Sequence, residues 1–333
     1  MQFGYSEACL AHDTGERHPE TADRLVAIRR ALQRRHGVAY VDAPPAPRAA
    51  ITAVHAPVYV DQIEAFITRG GGNWDPDTVA HPGSWTAATT AAGLAVWAAA
   101  AAADGASGRE TPFAIGRPPG HHAVSDDAMG FCLLNNAAIA AQALLDAPEH
   151  DVERVLIFDW DVHHGNGIQD IFYADPAVCY VSIHEAGLYP GTGGMDERGV
   201  DAGAGTTMNF PLTAGAGDPE YLAIVEEAIA PAIASFEPDV VLVAAGFDAH
   251  RHDPISRMQV STEGFGAMAA AVDAAADAVD AGVAYILEGG YGLDTLAQGV
   301  ATVHETYDGR TPTPQTGSVD PLVTELIEAV RID

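Results

Sequence analysis

Four stretches of this chain share one form: a short, continuous apolar run that breaks abruptly into polar residues or glycines. The runs are Phe113-Ala114-Ile115, Ile157-Phe158, Val240-Val241-Leu242-Val243-Ala244-Ala245 and Ala284-Tyr285-Ile286-Leu287. Such runs read as strands, and helical patterns lie between them. Leu25, Ile28 and Leu32 carry helical spacing, residues 135–145 form an apolar helix, and helices over 221–236 and 265–281 flank the strand at Val240. A Thr-, Pro- and Gly-rich loop over 309–319 precedes a final helix from Pro321 to Val330. Strands alternating with helices imply an α/β fold of three layers. With 333 residues, 48% hydrophobic, and neither repeat nor linker, the chain reads as one domain over 1–333.

The breaks at the strand ends carry chemistry. After Phe158 the chain reads Asp159-Trp160-Asp161-Val162-His163-His164-Gly165-Asn166. Alternate side chains of an extended strand share a face, so Asp159, Asp161 and His163 can converge beyond the sheet, where open α/β sheets keep their ligands. Oxygen and imidazole donors without thiolate suit zinc or another divalent first-row ion at a catalytic centre. The run after Val240 delivers Gly246-Phe247-Asp248, a third ligand from a distant segment. Arg117-Pro118-Pro119-Gly120-His121-His122 makes a rigid turn that presents two imidazoles, candidates for general acid and base. Glu288-Gly289-Gly290-Tyr291 lets glycines swing a phenol toward a pocket, as a neutral donor to an oxyanion. Each feature alone also fits an ordinary cap, turn or solvated loop. Their occurrence together at four strand ends favours a catalytic pocket.

These segments resemble the zinc-dependent histone deacetylase family, in the branch that holds bacterial and archaeal deacetylases and acetylpolyamine amidohydrolases. The resemblance spans nearly the whole chain and includes His18-Pro19-Glu20 with Arg24-Leu25, Met129-Gly130-Phe131-Cys132 with Asn135-Asn136, Val181-Ser182-Ile183-His184, and Tyr189-Pro190-Gly191-Thr192-Gly193. It implies an arginase-deacetylase fold, a largely parallel sheet between helices, with a narrow acyl-lysine tunnel at the strand C-termini. It implies that Asp161, His163 and Asp248 hold one catalytic zinc. His122 becomes the proton shuttle and His121 its electrostatic partner, oriented by Asp159. Asn166 stands behind His122 where several relatives have an aspartate, so a lower imidazole pKa is expected. Tyr291 matches the oxyanion donor.

The reaction so implied is hydrolysis of a secondary amide, releasing acetate or a short acid from acetyl-lysine side chains of proteins. The alternative within the family is an acetylpolyamine amidohydrolase acting on small acetylated amines. The resemblance places Phe131 and Tyr189 as aromatic walls of the tunnel, with Gly130 near the acetamide, and counts Gly290 among the substrate-binding residues. Ile255 falls where a specialised polyamine enzyme carries a glutamate, which weakens the polyamine reading. A potassium-type monovalent cation is implied near Asp159 and Ser182, held partly by main-chain oxygens of Asp161, His163 and Ile183. The rim residue that grips the substrate backbone is either Asp75 or Asp77. Ureohydrolysis of the arginase kind would need a second metal set, and a mere acetyl-lysine binding module would need neither His122 nor Tyr291.

Composition sets the surroundings. The formal net charge is −30, and all 16 basic residues are arginine. A lysine-free acidic surface suits molar salt, so a halophilic protein is expected, although GC-rich codon bias also removes lysine. No basic stripe exists to neutralise phosphates, so direct nucleic-acid binding is not expected. Cys9, Cys132 and Cys179 show no paired spacing and read as reduced thiols in a cytoplasmic protein. No signal peptide is evident, and the alanine-rich run over 91–103 reads as a tightly packed helix rather than a membrane span. The loops over 70–83 and 191–205 are long enough to build a rim.

Overall fold

Nearly every residue of the four apolar runs is buried, which is the condition of strands covered on both faces. The computed structural model describes residues 1–331, so the last two residues of the domain expected over 1–333 lie outside the described residues. In chain order the strands are β1 (Gln2–Gly4), β2 (Ala39–Val41), β3 (Gly72–Asn73), β4 (Val79–Ala80), β5 (Pro112–Ala114), β6 (Val155–Asp159), β7 (Val178–Glu185), β8 (Thr207–Leu212), β9 (Val240–Ala245) and β10 (Gly282–Leu287). The helices are α1 (Asp23–Leu32), α2 (Arg48–Val54), α3 (Pro57–Thr68), α4 (Ser84–Ala103), α5 (Asn136–Leu145), α6 (Asn166–Phe172), α7 (Asp218–Ile224), α8 (Ala230–Phe236), α9 (Thr262–Asp277), α10 (Leu293–Tyr307) and α11 (Pro321–Val330).

β3 and β4 form a small antiparallel pair. The other eight strands make one sheet in the order β2-β1-β5-β10-β9-β6-β7-β8, and every neighbouring pair is parallel. The four strands whose ends carry chemistry, β5, β10, β9 and β6, are therefore consecutive at its centre. The chain passes from β5 to β6 and only later returns to fill the gap with β9 and β10, and such a reversal opens a crevice at the carboxyl ends.

Helices cover both faces. A Cβ at Gly282 would collide with Ala102 of α4. Tyr285, three positions on and so on the other face, hydrogen-bonds Tyr307 of α10 at 3.0 Å. α4 packs on α5, β5 and β10, while α10 packs on α9 and α1. α4 begins at Ser84, well before the alanine run, and its 20 residues are long and apolar enough to cross a membrane by length and composition. The fold gives that apolar surface another use, because 67% of its most apolar window is buried inside the protein.

Caps explain where boundaries depart from the apolar pattern. α9 starts at Thr262 rather than Phe265 because the Ser261 hydroxyl accepts the Gly264 N–H at 3.0 Å. The helix expected over 221–236 is interrupted by one π-helical turn at Val225–Ile229. The loop over 309–319 and α11 fall where expected, with the Asp320 carboxylate accepting the Leu322 N–H.

Candidate active site

The end of β6 folds into its shape through two successive aspartates. Asp159 Oδ1 accepts the Asp161 N–H at 3.1 Å, and Asp161 Oδ1 accepts the His163 N–H at 2.9 Å. Each carboxylate thus caps the amide two residues on, turning the chain sharply at the sheet's edge. The turn separates Asp159 from the other two. Asp161 and His163 come together with Asp248 from the end of β9, one ligand atom of each lying within 4.8 Å of the others. Asp159 does not join this set. Its Oδ2 faces the His121 Nδ1 at 3.0 Å and accepts from the Tyr180 hydroxyl at 3.2 Å. Convergence of all three residues of the 159–163 alternation, the first expectation from strand geometry, is corrected accordingly, since regular alternation stops at Asp159.

The donor set fits a divalent ion. It offers two carboxylates and one imidazole, leaving room for further ligands as catalytic zinc sites do. Asp248 Oδ2 is buried without a hydrogen-bond partner, and the His163 Nδ1 lies 3.3 Å away. A buried carboxylate oxygen left in this way is costly unless a cation takes it. Burial opposes charge on His163, yet Asp161 and Asp248 hold its pKa up at about 10, so the space between the carboxylates favours positive charge. A Cβ on Gly289 would strike both carboxylates, so this close approach of backbone requires glycine.

The two imidazoles of the Pro-Pro-Gly turn have opposite environments. Burial opposes charge on His121 as well, but the carboxylates of Asp161 and Asp159 prevail and raise it to about 10. His122 is pushed well below the usual imidazole range, by burial first and then by the charges of His121 and His163. Its Nδ1 meets the Asn166 Oδ1 at 2.8 Å. The low basicity of His122 comes from burial and these charges, and the Asn166 contact acts in the opposite direction. The rings of His121 and His122 lie 4.0 Å apart, and His122 stands 5.8 Å from His163.

Tyr291 is held by partners that side-chain patterns do not display. Arg24 donates to the carbonyls of Gly290 at 2.8 Å and Glu288 at 2.5 Å, and its guanidinium lies 5.0 Å from the Tyr291 ring centre. Arg24 is itself paired with Glu20, which also pairs with Arg117, and all three are fully buried. The carboxylate of Glu288 accepts the Gly120 and His121 N–H groups at 2.6 and 3.1 Å, fixing the histidine turn from below. Burial keeps the Tyr291 phenol well above its usual pKa, so it is a neutral donor. Glu20 and Arg24 had appeared in the sequence only as part of a family pattern, and Glu288 only as the end of a strand.

Aromatic rings line the approach. Phe131 stands edge-on to Tyr291 at 5.7 Å, and Tyr189 edge-on to His122 at 5.0 Å. Gly130, at φ +56°, lies between His122 and Tyr189, where a Cβ would collide with both rings. Phe131 has φ +70°, and the Thr78 hydroxyl accepts its N–H at 3.2 Å. Of the two carboxylates expected at a rim, Asp75 caps the Asp77 and Thr78 amides of the β3–β4 turn. Asp77 accepts from the Thr78 hydroxyl at 3.5 Å and, with His18 and Phe131, lines a hollow of about 700 Å³. Ile255 is half-buried, its N–H bound to Asp253, and Gly290 has φ +113°. Asp159 and Ser182 are register partners on β6 and β7, with Ile183 next along.

Residues 18–307 match the histone deacetylase domain. The chain is 38% identical over 275 residues to a histone deacetylase-like amidohydrolase of Pseudomonas aeruginosa, covering 82% of this chain and 71% of that protein. The crystal structure of the HDA15 HD domain aligns with a TM-score of 0.88 at 33% identity, covering 99% of this chain and 94% of that one. An acetylpolyamine aminohydrolase from Burkholderia pseudomallei aligns with a TM-score of 0.82 at 30% identity, covering 92% and 98%. A shared sheet, and a sequence match that runs from His18 to Tyr307 and so takes in all four strand ends, place the chain in the histone deacetylase family of amidohydrolases.

Proposed function

We propose that this amidohydrolase is a zinc-dependent deacetylase that removes acetyl or short acyl groups from lysine side chains of proteins. The observation that carries the reading is the convergence of Asp161, His163 and Asp248 beside a buried, weakly basic His122. Asp161, His163 and Asp248 would hold the zinc, which when bound would supply Lewis acidity to the amide carbonyl and to the attacking water. His122, uncharged near neutral pH, takes a proton from that water and returns one to the leaving amine. His121, oriented by Asp159 at its Nδ1, is the electrostatic partner of His122. Tyr291 donates its phenolic proton in a hydrogen bond to the developing oxyanion. Phe131 and Tyr189 flank the aliphatic stem of the substrate, Gly130 lies beside the acetamide where the His122 and Tyr189 rings converge, and Asp77, which with Phe131 lines the same hollow, is the rim carboxylate that accepts from the substrate backbone. Potassium is assigned to Asp159, Ser182 and the main-chain oxygens of Asp161, His163 and Ile183, supported by the pairing of Asp159 with Ser182.

The second reading, hydrolysis of small acetylated amines, is favoured by the likeness to the acetylpolyamine aminohydrolase. The apolar Ile255 beside the Tyr291 segment argues for the first. Deacetylation of an acetyl-lysine peptide and of N-acetylputrescine, measured side by side with zinc-loaded protein and its His122→Ala variant, separates them. Turnover of the peptide that disappears in the variant is expected. Turnover of the polyamine alone would replace the first reading by the second, and silence on both would remove both.

A further inference from the structure

The segment that presents Tyr291 is Gly289-Gly290-Tyr291-Gly292, three glycines around one ring. Glycine confers freedom, so the direction of the phenol must be imposed by contacts from outside the segment. Arg24 grips the carbonyls of Gly290 and of Glu288 just before the segment. Its amides are gripped from the opposite side by one carboxylate. Asp253 Oδ2 accepts the N–H of Tyr291 at 2.7 Å and of Gly292 at 3.0 Å, while Oδ1 accepts the N–H of Ile255 at 3.1 Å. Asp253 is 7% exposed, and its own N–H is tied to the His250 carbonyl at 2.7 Å. It stands five residues after Asp248, on the loop that leaves β9, and bridges that loop to the one that leaves β10. The Ser256 hydroxyl donates to the Asp248 carbonyl and closes the loop back on itself.

We infer that Asp253 is a positioning residue for catalysis, which acts through Tyr291 by fixing the peptide on either side of its Cα. The inference rests on the reading of Tyr291 as oxyanion donor. A carboxylate is suited to the task because one oxygen accepts two convergent N–H groups and the other remains for a third. Asparagine offers one oxygen only, and its NH₂ would then face the Ile255 N–H, donor against donor. Asp253 also accepts the N–H of Gly292, the residue that precedes α10, so a purely structural role as a helix cap has to be told apart from positioning.

A double-mutant cycle makes the distinction. Kinetics are measured for Asp253→Ala, Asp253→Asn, Tyr291→Phe and the two double variants, with hydrogen exchange followed at the Tyr291 and Gly292 amides. Asp253→Ala is expected to lower kcat by roughly 10- to 10²-fold, the scale of a misplaced catalytic group, with KM changed by less than about 2-fold. Asp253→Asn should fall between it and the wild type, which keeps the test available if the alanine variant folds poorly. Both amides should exchange faster in either Asp253 variant. In the Tyr291→Phe background, removing the carboxylate should change kcat by less than about 2-fold, because nothing is left to position. An equal loss in both backgrounds, or wild-type kcat in Asp253→Ala and Asp253→Asn, would overturn the inference while leaving Tyr291 its role. Wild-type turnover by Tyr291→Phe alone would instead overturn the oxyanion reading, and this inference with it.

Discussion

Gly130 occupies a point where the His122 imidazole and the Tyr189 ring leave no volume for a methyl group, and its φ of +56° adds a second penalty for any other residue. Gly130→Ala should therefore displace His122 and reduce turnover by roughly 10²-fold, the cost of a misplaced catalytic group, with the fold retained by circular dichroism. Turnover within a few-fold of wild type would show that the ring has room to shift. Glycine here is informative only once its neighbours are in place. The same holds for other residues of the site. Asp161, His163, Asp248, the histidine pair and Tyr291 were legible because their side chains carry the chemistry and follow apolar runs. Glu288 and Asp253 were not, and Arg24 was so only through the family pattern, because the partners by which they hold the site are backbone amides and carbonyls, which no sequence pattern marks.

Between elements, His55 shows how neutral histidines hold the layers together. It follows α2, its Nδ1 faces the Val124 carbonyl at 3.0 Å, and its Nε2 accepts the N–H of Asn135, the residue that caps α5. One ring nitrogen donates and the other accepts, so the fold requires the uncharged form. Burial lowers the pKa of His55 to about 4, against about 6.5 in an unfolded chain. The folded value lies below the unfolded one, so the unfolded chain takes up the proton first as pH falls. The stabilisation, roughly 3 kcal/mol, is complete above pH ~6.5 and is lost as pH falls toward ~4. Urea unfolding should show stability falling between pH 7 and pH 5, with a shallower slope in His55→Gln. An identical slope in the variant would rule out this histidine as a source. The four central strands and the helices α1, α4, α5, α7–α8, α9 and α11 could be read from apolar runs and helical spacing, whereas the other six strands and α2, α3, α6 and α10 were not. Nor could the start of α4 be read, where Trp85 to Thr90 lack a strong apolar signal, or the start of α9, set by Ser261 rather than by hydrophobic spacing.

Across the whole molecule, the arrangement gathers buried negative charge at one end of the sheet. Asp159, Asp161, Asp248, Asp253 and Glu288 come from the ends of three neighbouring strands, and all are buried. His121, His163 and Arg24 answer them only in part. Repulsion of this kind is tolerable when a divalent cation sits among the carboxylates, and metal binding then contributes to folding as well as to chemistry. The order of the sheet that brings these ends together was not legible from the sequence, since local patterns identify strands without saying which are neighbours; the family resemblance supplied the expectation. The most direct measurement is the zinc content of the purified protein, followed with acetyl-lysine deacetylation and thermal stability through chelation and zinc return, in the wild type and in Asp248→Asn. The account predicts about one equivalent of zinc in the wild type, as in a single-ion catalytic site, loss of activity and a lower Tm on chelation, recovery of both on return, and neither metal nor turnover in the variant. Undiminished turnover by protein stripped of metal would contradict it.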